Sequence, residues 1–356
     1  MCESLTIQSH RGPYMVSFEE DAFRSLDTAV SSKAHFIIDA RVAELYAKEL
    51  ARVLSGPSVL CIEASEASKS LVKFPGYVEH LVSNHVRRGD TLIGIGGGII
   101  QDITCFLGAT VLRGLSWHFY PTTLLAQADS CIGSKSSINV GKVKNVLGTF
   151  TPPERIVIST RVLDTLDERD IRSGIGEMLK VHAIEGAESF GRIAADYNNI
   201  LTDRTMMVHY IHRSLQIKKA IVEQDEFDRG LRNIMNYGHS FGHAIESATE
   251  FSIPHGIAVT IGMDMANYTA FRLGLSDRGH YDRMHPTLAM NFAGFERLDV
   301  PLDPFFDALA KDKKNTDSML SLILPDASGR PIRRSYRNDA ALRGICADYL
   351  STERGQ

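Results

Sequence analysis

The early part of the chain alternates short β-branched runs with helical stretches, and that rhythm narrows the possible folds more than any other feature. His35-Phe-Ile-Ile-Asp39 reads as a buried strand ending in an acid, and Ala43 to Leu54 as a helix. Ser58-Val-Leu-Cys-Ile-Glu63 reads as a second strand, Tyr77 to Val86 as a helix, Asp90-Thr-Leu-Ile-Gly-Ile-Gly96 as a strand running into glycines, and Ile99 to Leu107 as a helix. Parallel neighbours need a crossover, so this pattern predicts a parallel sheet with helices on its faces. Ligands of such sheets bind beyond the carboxyl ends of the strands.

The glycines Gly94-Ile-Gly96-Gly97-Gly98 fall at one of those ends. Glycine lets backbone N–H groups come close to a pyrophosphate, and the N-terminus of the following helix favours its charge. The spacing is not Gly-x-Gly-x-x-Gly, and a plain tight turn uses the same glycines. Asp39 and Glu66 stand at or just past strand ends, where a ribose hydroxyl can be held; as solvated loop charges they would do nothing of the kind.

Length and composition set bounds. A chain of 356 residues is long for one core and suggests two domains. Its 44% apolar and 23% charged residues are those of a globular protein, and a net charge of −4 gives no basic footprint for nucleic acid. The five cysteines are scattered and lack Cys-x-x-Cys, which argues against a disulfide framework or a cysteine zinc site. No apolar run approaches the ~20 residues of a membrane span, and the start of the chain shows no signal pattern. No nucleic acid, no membrane and a cytoplasmic location are expected.

The second half reads as helices, at 167–186, 205–224, 230–250, 256–273 and 304–311, with one late strand at 318–325. A boundary falls near 160–170. The stretch 224–230 is a charged loop between helices.

Within the helical half, Asn236-Tyr-Gly-His239-Ser-Phe-Gly-His243 places two histidines at i and i+4, on one helix face. His255 follows in an expected turn with Pro254 and Gly256, and Glu177 and Lys180 sit at i, i+3 upstream. Glu177, His239 and His255 would make a two-histidine, one-carboxylate metal site with an open position. A His-x-x-x-His pair also occurs on ordinary helices with satisfied hydrogen bonds. The central stretch from Tyr120 to Asn145 carries Lys135, Lys142, Lys144 and Asn145 among glycines and serines, a setting that suits a phosphorylated substrate. Asp129 and Asn139 interrupt apolar surroundings there, as buried functional groups do.

With these residues assembled, the chain resembles the 3-dehydroquinate synthase superfamily, the sugar phosphate cyclases, from about Asp39 to about Lys314. The residues that carry the resemblance are Gly-Gly-Gly-x-x-x-Asp at 96–102, Ala-Thr-x-x-Arg-Gly at 109–114, Pro-Thr-Thr-Leu-Leu-Ala-x-x-Asp-Ser at 121–130, Lys-Asn at 144–145, Glu-x-x-Lys at 177–180, Asn-x-Gly-His-x-x-Gly-His at 236–243 and His-Gly at 255–256. The resemblance implies an α/β-plus-α chain: a Rossmann-like parallel-sheet NAD-binding domain over 1–165, a helical metal- and substrate-binding domain over 166–356, and an active site between them.

It also implies roles. Glu177, His239 and His255 match the family's metal ligands, for zinc or cobalt. Asp129, Lys135, Asn145, Lys180, Asn236 and His243 match residues around the substrate, and Lys144 and Arg232 further substrate contacts. Arg113 matches an arginine that reaches the neighbouring subunit's phosphate site, which implies a homodimer. Asp39, Glu66, Lys69, Gly97, Gly98, Asp102, Thr122, Thr123, Thr165 and Leu166 match NAD-contacting positions. Lys313 matches a late phosphate-side lysine, with Lys314 nearly as good. The implied substrate is a small phosphorylated sugar, and the implied reaction oxidises a hydroxyl with NAD, expels phosphate, returns the hydride and closes a carbocycle.

The sequence departs from the family's housekeeping members in several places. Gly133-Ser134-Lys135 stands where Gly-Gly-Lys is usual, Gly176-Glu-Met-Leu-Lys180 where Ala-Glu-Val-Ile-Lys is usual, and Ile257 where an acid follows His-Gly. Arg232 with Lys219, or with Lys218, would bind a substrate carboxylate. That pair favours a carboxylated heptulosonate, while the departures favour a sibling acting on sedoheptulose 7-phosphate or glucose 6-phosphate. A polyol-type dehydrogenase shares the architecture but lacks a reason for the lysine set.

Overall fold

The computed structural model describes residues 4–30, 33–141, 143–311 and 318–355. The chain forms two compact units. The first is Met1–Asp167 together with Ile211–Phe227, and the second is Glu168–Tyr210 together with Asp228–Gln356. The segment 211–227 therefore packs with the first unit although it lies in the second half of the sequence.

The first unit is built on a seven-stranded sheet. Its strands in chain order are β1 (Leu5–Ile7), β2 (Tyr14–Phe18), β3 (Ala34–Asp39), β4 (Val59–Ile62), β5 (Thr91–Gly96) and β6 (Ser116–Pro121). After the small antiparallel pair β7 (Ile138–Val140) and β8 (Val143–Leu147) comes β9 (Arg155–Ile158). The sheet order is β1-β2-β9-β6-β5-β3-β4, parallel throughout except for the edge pair β1–β2. The parallel strands read as continuous apolar runs because helices cover both faces, and Phe36, Ile37, Ile38, Leu92, Ile95 and Phe119 are all buried. Each such side chain contributes about 1.5–3 kcal/mol by leaving water.

The chain runs from β3 outward to β4, then returns to place β5 on the other side of β3. That reversal opens a crevice at the carboxyl ends of β3 and β5, the place where sheets of this kind take ligands. The loops leaving β3, β5 and β6 carry Asp39, Gly97-Gly98 and Thr122-Thr123, so three matched cofactor segments share one edge.

The second unit is helical. Its main helices are Glu168–Glu185, Ala187–Ala195, His239–Ala248, His255–Arg272, Arg278–Asn291, Leu302–Ala310 and Ala340–Ser351. The late strand β10 (Met319–Pro325) pairs antiparallel with β11 (Pro331–Arg337).

Two expected helices are divided in the structure. The 43–54 helix is two short ones, Ala40–Leu45 and Ala51–Leu54. The 230–250 helix is a 3₁₀ turn at Leu231–Asn236 and a separate helix starting at His239. Gly238, at φ +78°, makes that break, and a Cβ there would meet Val259 O and Met263 Cγ at 2.6 Å. Only glycine fits this left-handed, crowded position. Among the described residues no helix is long and apolar enough to cross a membrane.

Candidate active site

In the second unit, the Glu168–Glu185 and His255–Arg272 helices cross glycine to glycine. A Cβ on Gly176 would strike the Gly256 backbone, and one on Gly256 would strike the Ser173 backbone. Ser173 Oγ accepts from the Gly256 N–H at 2.9 Å and pins the crossing. This close approach puts Glu177 beside His255, the first residue of its helix. The His239–Ala248 helix packs on the same helix at Gly242, whose Cβ would lie 3.0 Å from Ala258 O. Small residues at both crossings thus bring groups from 177, 239, 243 and 255 into one cluster.

Glu177 is buried, and its Oε1 lies 3.5 Å from His255 Nε2 and 3.7 Å from His239 Nε2. Two ligands each about 2.0–2.2 Å from one tetrahedral ion are roughly 3.3–3.6 Å apart, so these three atoms fit around a zinc-like metal. The other carboxylate oxygen, Oε2, accepts from Lys180 Nζ, which keeps Oε1 on the histidine side. A second set, His239, His243 and His255, has ligand atoms within 4.8 Å of one another, with His243 the exposed member. The shorter distances favour Glu177 over His243 as the third ligand. Ring centroids of His239 lie 5.3 Å from both His243 and His255.

The electrostatics match a ligand set. Burial drives the His239 pKa well below the ordinary histidine value, and Lys180, His243 and His255 push the same way, so the ring is held neutral. Neutral imidazole is the form that binds metal. Burial also lowers His255, but the Glu246 carboxylate outweighs it and raises the value. Glu246 Oε2 lies 3.2 Å from His255 Nδ1, which directs Nε2 towards Glu177. A carboxylate–histidine pairing of this kind fixes tautomer and aim. The role of Glu246 escaped the sequence reading, although its position on the helix that carries His239 and His243 was the available signal. Arg232 is buried and Asn236 donates from Nδ2 to Asn233 O at 3.1 Å, both in the 3₁₀ turn leading to His239.

In the first unit the matched cofactor residues form two groups. At the strand ends, Asp39 Oδ1 accepts from the Arg41 N–H at 2.9 Å and caps the next short helix. Burial pushes the Asp39 carboxyl up, against the lowering by the Arg41 and Val42 N–H groups. The Gly98–Thr110 helix starts at Gly97 with no side chain capping it, so its first N–H groups are presented to an anion. A Cβ on Gly97 would crowd Thr123 Cγ2 at 2.9 Å, and the Thr122 N–H donates to Gly96 O at 2.9 Å. These features fit a dinucleotide pyrophosphate. Thr165 Oγ1 meets the Tyr46 hydroxyl at 3.0 Å at the end of a 3₁₀ turn, and the Leu166 N–H closes onto Leu163 O.

The second group is a polar network. Lys69 Nζ donates to Asp102 Oδ2 at 2.9 Å and to Asn145 Oδ1 at 3.0 Å, and lies 3.6 Å from Glu66 Oε1. Asp102 Oδ1 accepts from the Ser137 N–H at 2.8 Å. Burial raises the Asp102 carboxyl, opposed chiefly by Lys69. Asn139 Nδ2 donates to Glu66 Oε2 at 2.8 Å, and Asn139 Oδ1 accepts from the Asn145 N–H at 2.9 Å. Asn145, assigned by resemblance to the substrate, and Glu66, Lys69 and Asp102, assigned to the cofactor, are thus one connected set. Lys144 is exposed on β8, and Lys135 Nζ stands 6.0 Å from the Phe150 ring centroid. Arg113 is exposed in a turn where Leu112, Arg113 and Gly114 all have positive φ.

The two adjacent lysines considered for a substrate carboxylate differ in their surroundings. Lys219, put forward for a substrate carboxylate, lies 3.8 Å from Glu223 on its own helix, beside a groove of about 370 Å³ lined also by Leu5, Arg213 and Gln216. Lys218 is the buried one: its Nζ donates to Asp129 O at 2.6 Å and to the Asp129 carboxylate. Consecutive helical residues point about 100° apart, so only one of the two can face Asp129. Lys313, with Lys314 and Lys142, lies outside the described residues.

Comparison with known proteins finds two consecutive family profiles along the chain. A family profile described as 3-dehydroquinate synthase N-terminal matches residues 59–173, and one described as 3-dehydroquinate synthase C-terminal matches 174–315. A 3-dehydroquinate synthase of Thermoanaerobacter sp. (strain X514) is 33% identical over 350 residues, 95% of this chain and 98% of that protein. Among solved structures, 2-epi-5-epi-valiolone synthase from Streptomyces hygroscopicus subsp. jinggangensis, with NAD+ and Zn2+ bound, is 27% identical. Its TM-score is 0.81, covering 96% of this chain and 97% of that one. A 2-deoxy-scyllo-inosose synthase complexed with carbaglucose-6-phosphate, NAD+ and Co2+ shares the fold at TM-score 0.82 and 20% identity, over 97% of this chain and 99% of that one.

Proposed function

The chain belongs to the 3-dehydroquinate synthase family, and on that footing we propose that it converts 3-deoxy-arabino-heptulosonate 7-phosphate to 3-dehydroquinate, expelling inorganic phosphate and closing a carbocycle. The observation that carries the site assignment is the placement of Glu177 Oε1 3.5 Å and 3.7 Å from the two histidine Nε2 atoms. Glu177, His239 and His255 would hold zinc or cobalt, and the Gly97-Gly98 helix start with Asp39, Thr122 and Thr123 would hold NAD. When bound, the metal supplies polarisation of a substrate hydroxyl and NAD a reversible hydride acceptor.

The protein's own residues bind, aim and neutralise. Lys180 holds one oxygen of Glu177 and Glu246 holds one nitrogen of His255, so the donor atoms are fixed before anything binds. Lys135, Lys144 and Asn145 offer N–H donors for a phosphate, which match its charge and its acceptors. Arg232 offers a planar guanidinium to a substrate carboxylate, a bidentate match that a neutral sugar would leave unused. Lys218 holds the Asp129 carboxylate in place. Asn236 and His243 flank the ligand set as further polar contacts. In this reading Arg113 serves the phosphate site of a second copy, the enzyme is a homodimer, and it acts in the cytoplasm.

A sibling activity on sedoheptulose 7-phosphate is the second reading, favoured by the 27% identity to a valiolone synthase and by Ser134 in place of the usual glycine. The deciding experiment supplies enzyme with NAD and zinc or cobalt and measures phosphate release from both sugars side by side. Release from the heptulosonate is expected. Release from sedoheptulose 7-phosphate alone would move the assignment to the sibling, and release from neither would overturn both.

A further inference from the structure

Glu226 stands in the charged stretch after the Arg204–Val222 helix, which the reaction as described leaves without a role. Its carboxylate gathers three segments of the first unit. Oε1 accepts from Ser9 Oγ at 2.6 Å and from Ser134 Oγ at 2.8 Å, and lies 3.1 Å from His10 Nδ1. Oε2 accepts from the His10 backbone N–H at 2.9 Å. Burial by itself pushes this carboxyl up, but the hydrogen bonds from Ser9, His10 and Ser134 outweigh it and hold it below the ordinary range.

The Ser134 end of this hub is strained. Gly133 and Ser134 have φ of +109° and +60°, and the chain then leads directly into Lys135. Glycine takes such a turn freely, whereas serine pays for its Cβ. Ser134 is nonetheless buried there, with its hydroxyl on Glu226. The hydrogen bond to a charged acceptor adds a side-chain restraint on the left-handed turn, beside the Thr151 N–H on Ser134 O at 2.7 Å and the Gly133 N–H on the Tyr14 hydroxyl at 3.2 Å. Phe227, the next residue, is linked to Lys135 through Phe150. Its ring packs on Phe150 at 5.1 Å and on His10 at 5.2 Å, and Phe150 carries the Lys135 ammonium and forms a β-bridge with Lys135.

We propose that Glu226 is a positioning residue for Lys135, locking through Ser134 the left-handed turn that aims the Lys135 amine at the substrate's phosphate. The proposal rests on the reading that Lys135 meets a phosphorylated sugar. It assigns a function to the serine that replaces the usual glycine: this chain's turn gains a side-chain bond where a glycine would need none.

The test uses the metal- and NAD-loaded enzyme and the variants Ser134→Ala, Glu226→Gln and Ser134→Gly. One arm separates KM from kcat in phosphate release. The other follows reductive methylation of Lys135 by mass spectrometry against exposed Lys48, and needs no turnover. Ser134→Ala and Glu226→Gln are expected to raise KM about tenfold, the worth of one charge-assisted hydrogen bond, with kcat changed far less and Lys135 methylation altered relative to Lys48. Ser134→Gly, free to adopt the turn unaided, is expected to recover most of both losses. Unchanged KM and methylation in the first two variants would overturn the proposal. Equal damage in all three would also overturn it, because the effect would then not run through the turn. If the wild-type enzyme releases phosphate from neither sugar, the functional reading fails, while the methylation arm still decides the role of Glu226.

Discussion

The two polar clusters of this protein are built on opposite plans. In the helical unit, one carboxylate and three imidazoles converge, with Lys180 and Glu246 as supports behind them. In the sheet unit, Glu66, Lys69, Asp102, Asn139 and Asn145 form a closed circle in which cations, anions and amides answer one another. The first arrangement concentrates lone pairs that a cation from outside would complete. The second sets one ammonium against two carboxylates and two amides that already bond one another, and it can trade an internal hydrogen bond for one to a polar ligand at small net cost, since the exchange conserves the number of bonds. One cluster is a socket for charge and the other a preformed polar surface.

The largest test of that contrast is Glu177→Ala. Removing the carboxylate from the socket is expected to abolish metal content by elemental analysis and to lower phosphate release by about 10³-fold or more, since metal polarisation is worth several kcal/mol. Full activity without Glu177 would mean that His243 completes the set instead. Next in size is the pair Lys218→Met and Lys219→Met. The first strands a buried carboxylate and is expected to cost about 3–5 kcal/mol in urea unfolding. The second removes a partly exposed charge and is expected to change stability by less than about 0.5 kcal/mol. Equal effects would erase the distinction between the two lysines.

Glu246→Ala is expected to be milder, because it loosens the aim of His255 without removing a ligand. Metal affinity should fall about 10–100-fold in a chelator competition. The smallest effect concerns a half-buried histidine away from the socket. His285 Nδ1 lies 2.9 Å from Asp264 Oδ2, which also accepts from Tyr349, with the Tyr281 hydroxyl and Glu353 nearby. The bond to Asp264 raises the His285 pKa above its ordinary 6.5, with burial opposing. A raised histidine stabilises the fold fully below the unfolded value and loses that contribution as pH climbs through the folded one. Unfolding free energies measured below pH 6.5 and in mildly alkaline solution should therefore fall more for the wild type than for His285→Gln. An equal fall would show that this pair carries no proton linkage, unlike the imidazoles beside Glu177.

Much of this was legible in the sequence because its signals are local. The runs at 35–39 and 90–96 announce buried parallel strands by short isoleucine-rich apolar stretches, and they form β3 and β5. The strands β1, β2, β6, β7, β8, β9 and β11 went unseen: β1 is three residues long, and β11 exposes much of its surface, including Arg333 and Arg334. Neither gives an apolar run. The helix expected across 230–250 failed at Gly238, whose left-handed φ answers to the neighbouring Val259 and Met263, residues that no local pattern places there. The sequence left Lys218 and Lys219 undivided for a related reason. Adjacent lysines on one helix look alike until something across the fold distinguishes their faces, and here that is Asp129, 89 residues away in sequence.

The sequence by itself determined the chemistry present: a glycine turn after a buried strand, a helical half with histidines at fixed spacing, and lysines in a small-residue setting. These follow from steric and periodic rules that act over a few residues. The tertiary structure alone decided which of those groups meet. The crossing at Gly176 and Gly256 set Glu177 against His255, the return of 211–227 to the first unit gave Asp129 its lysine, and Glu226 joined Ser9, His10 and Ser134. Such meetings depend on how closely two backbones can approach and on which buried charge needs an answer, and both are properties of the packed chain.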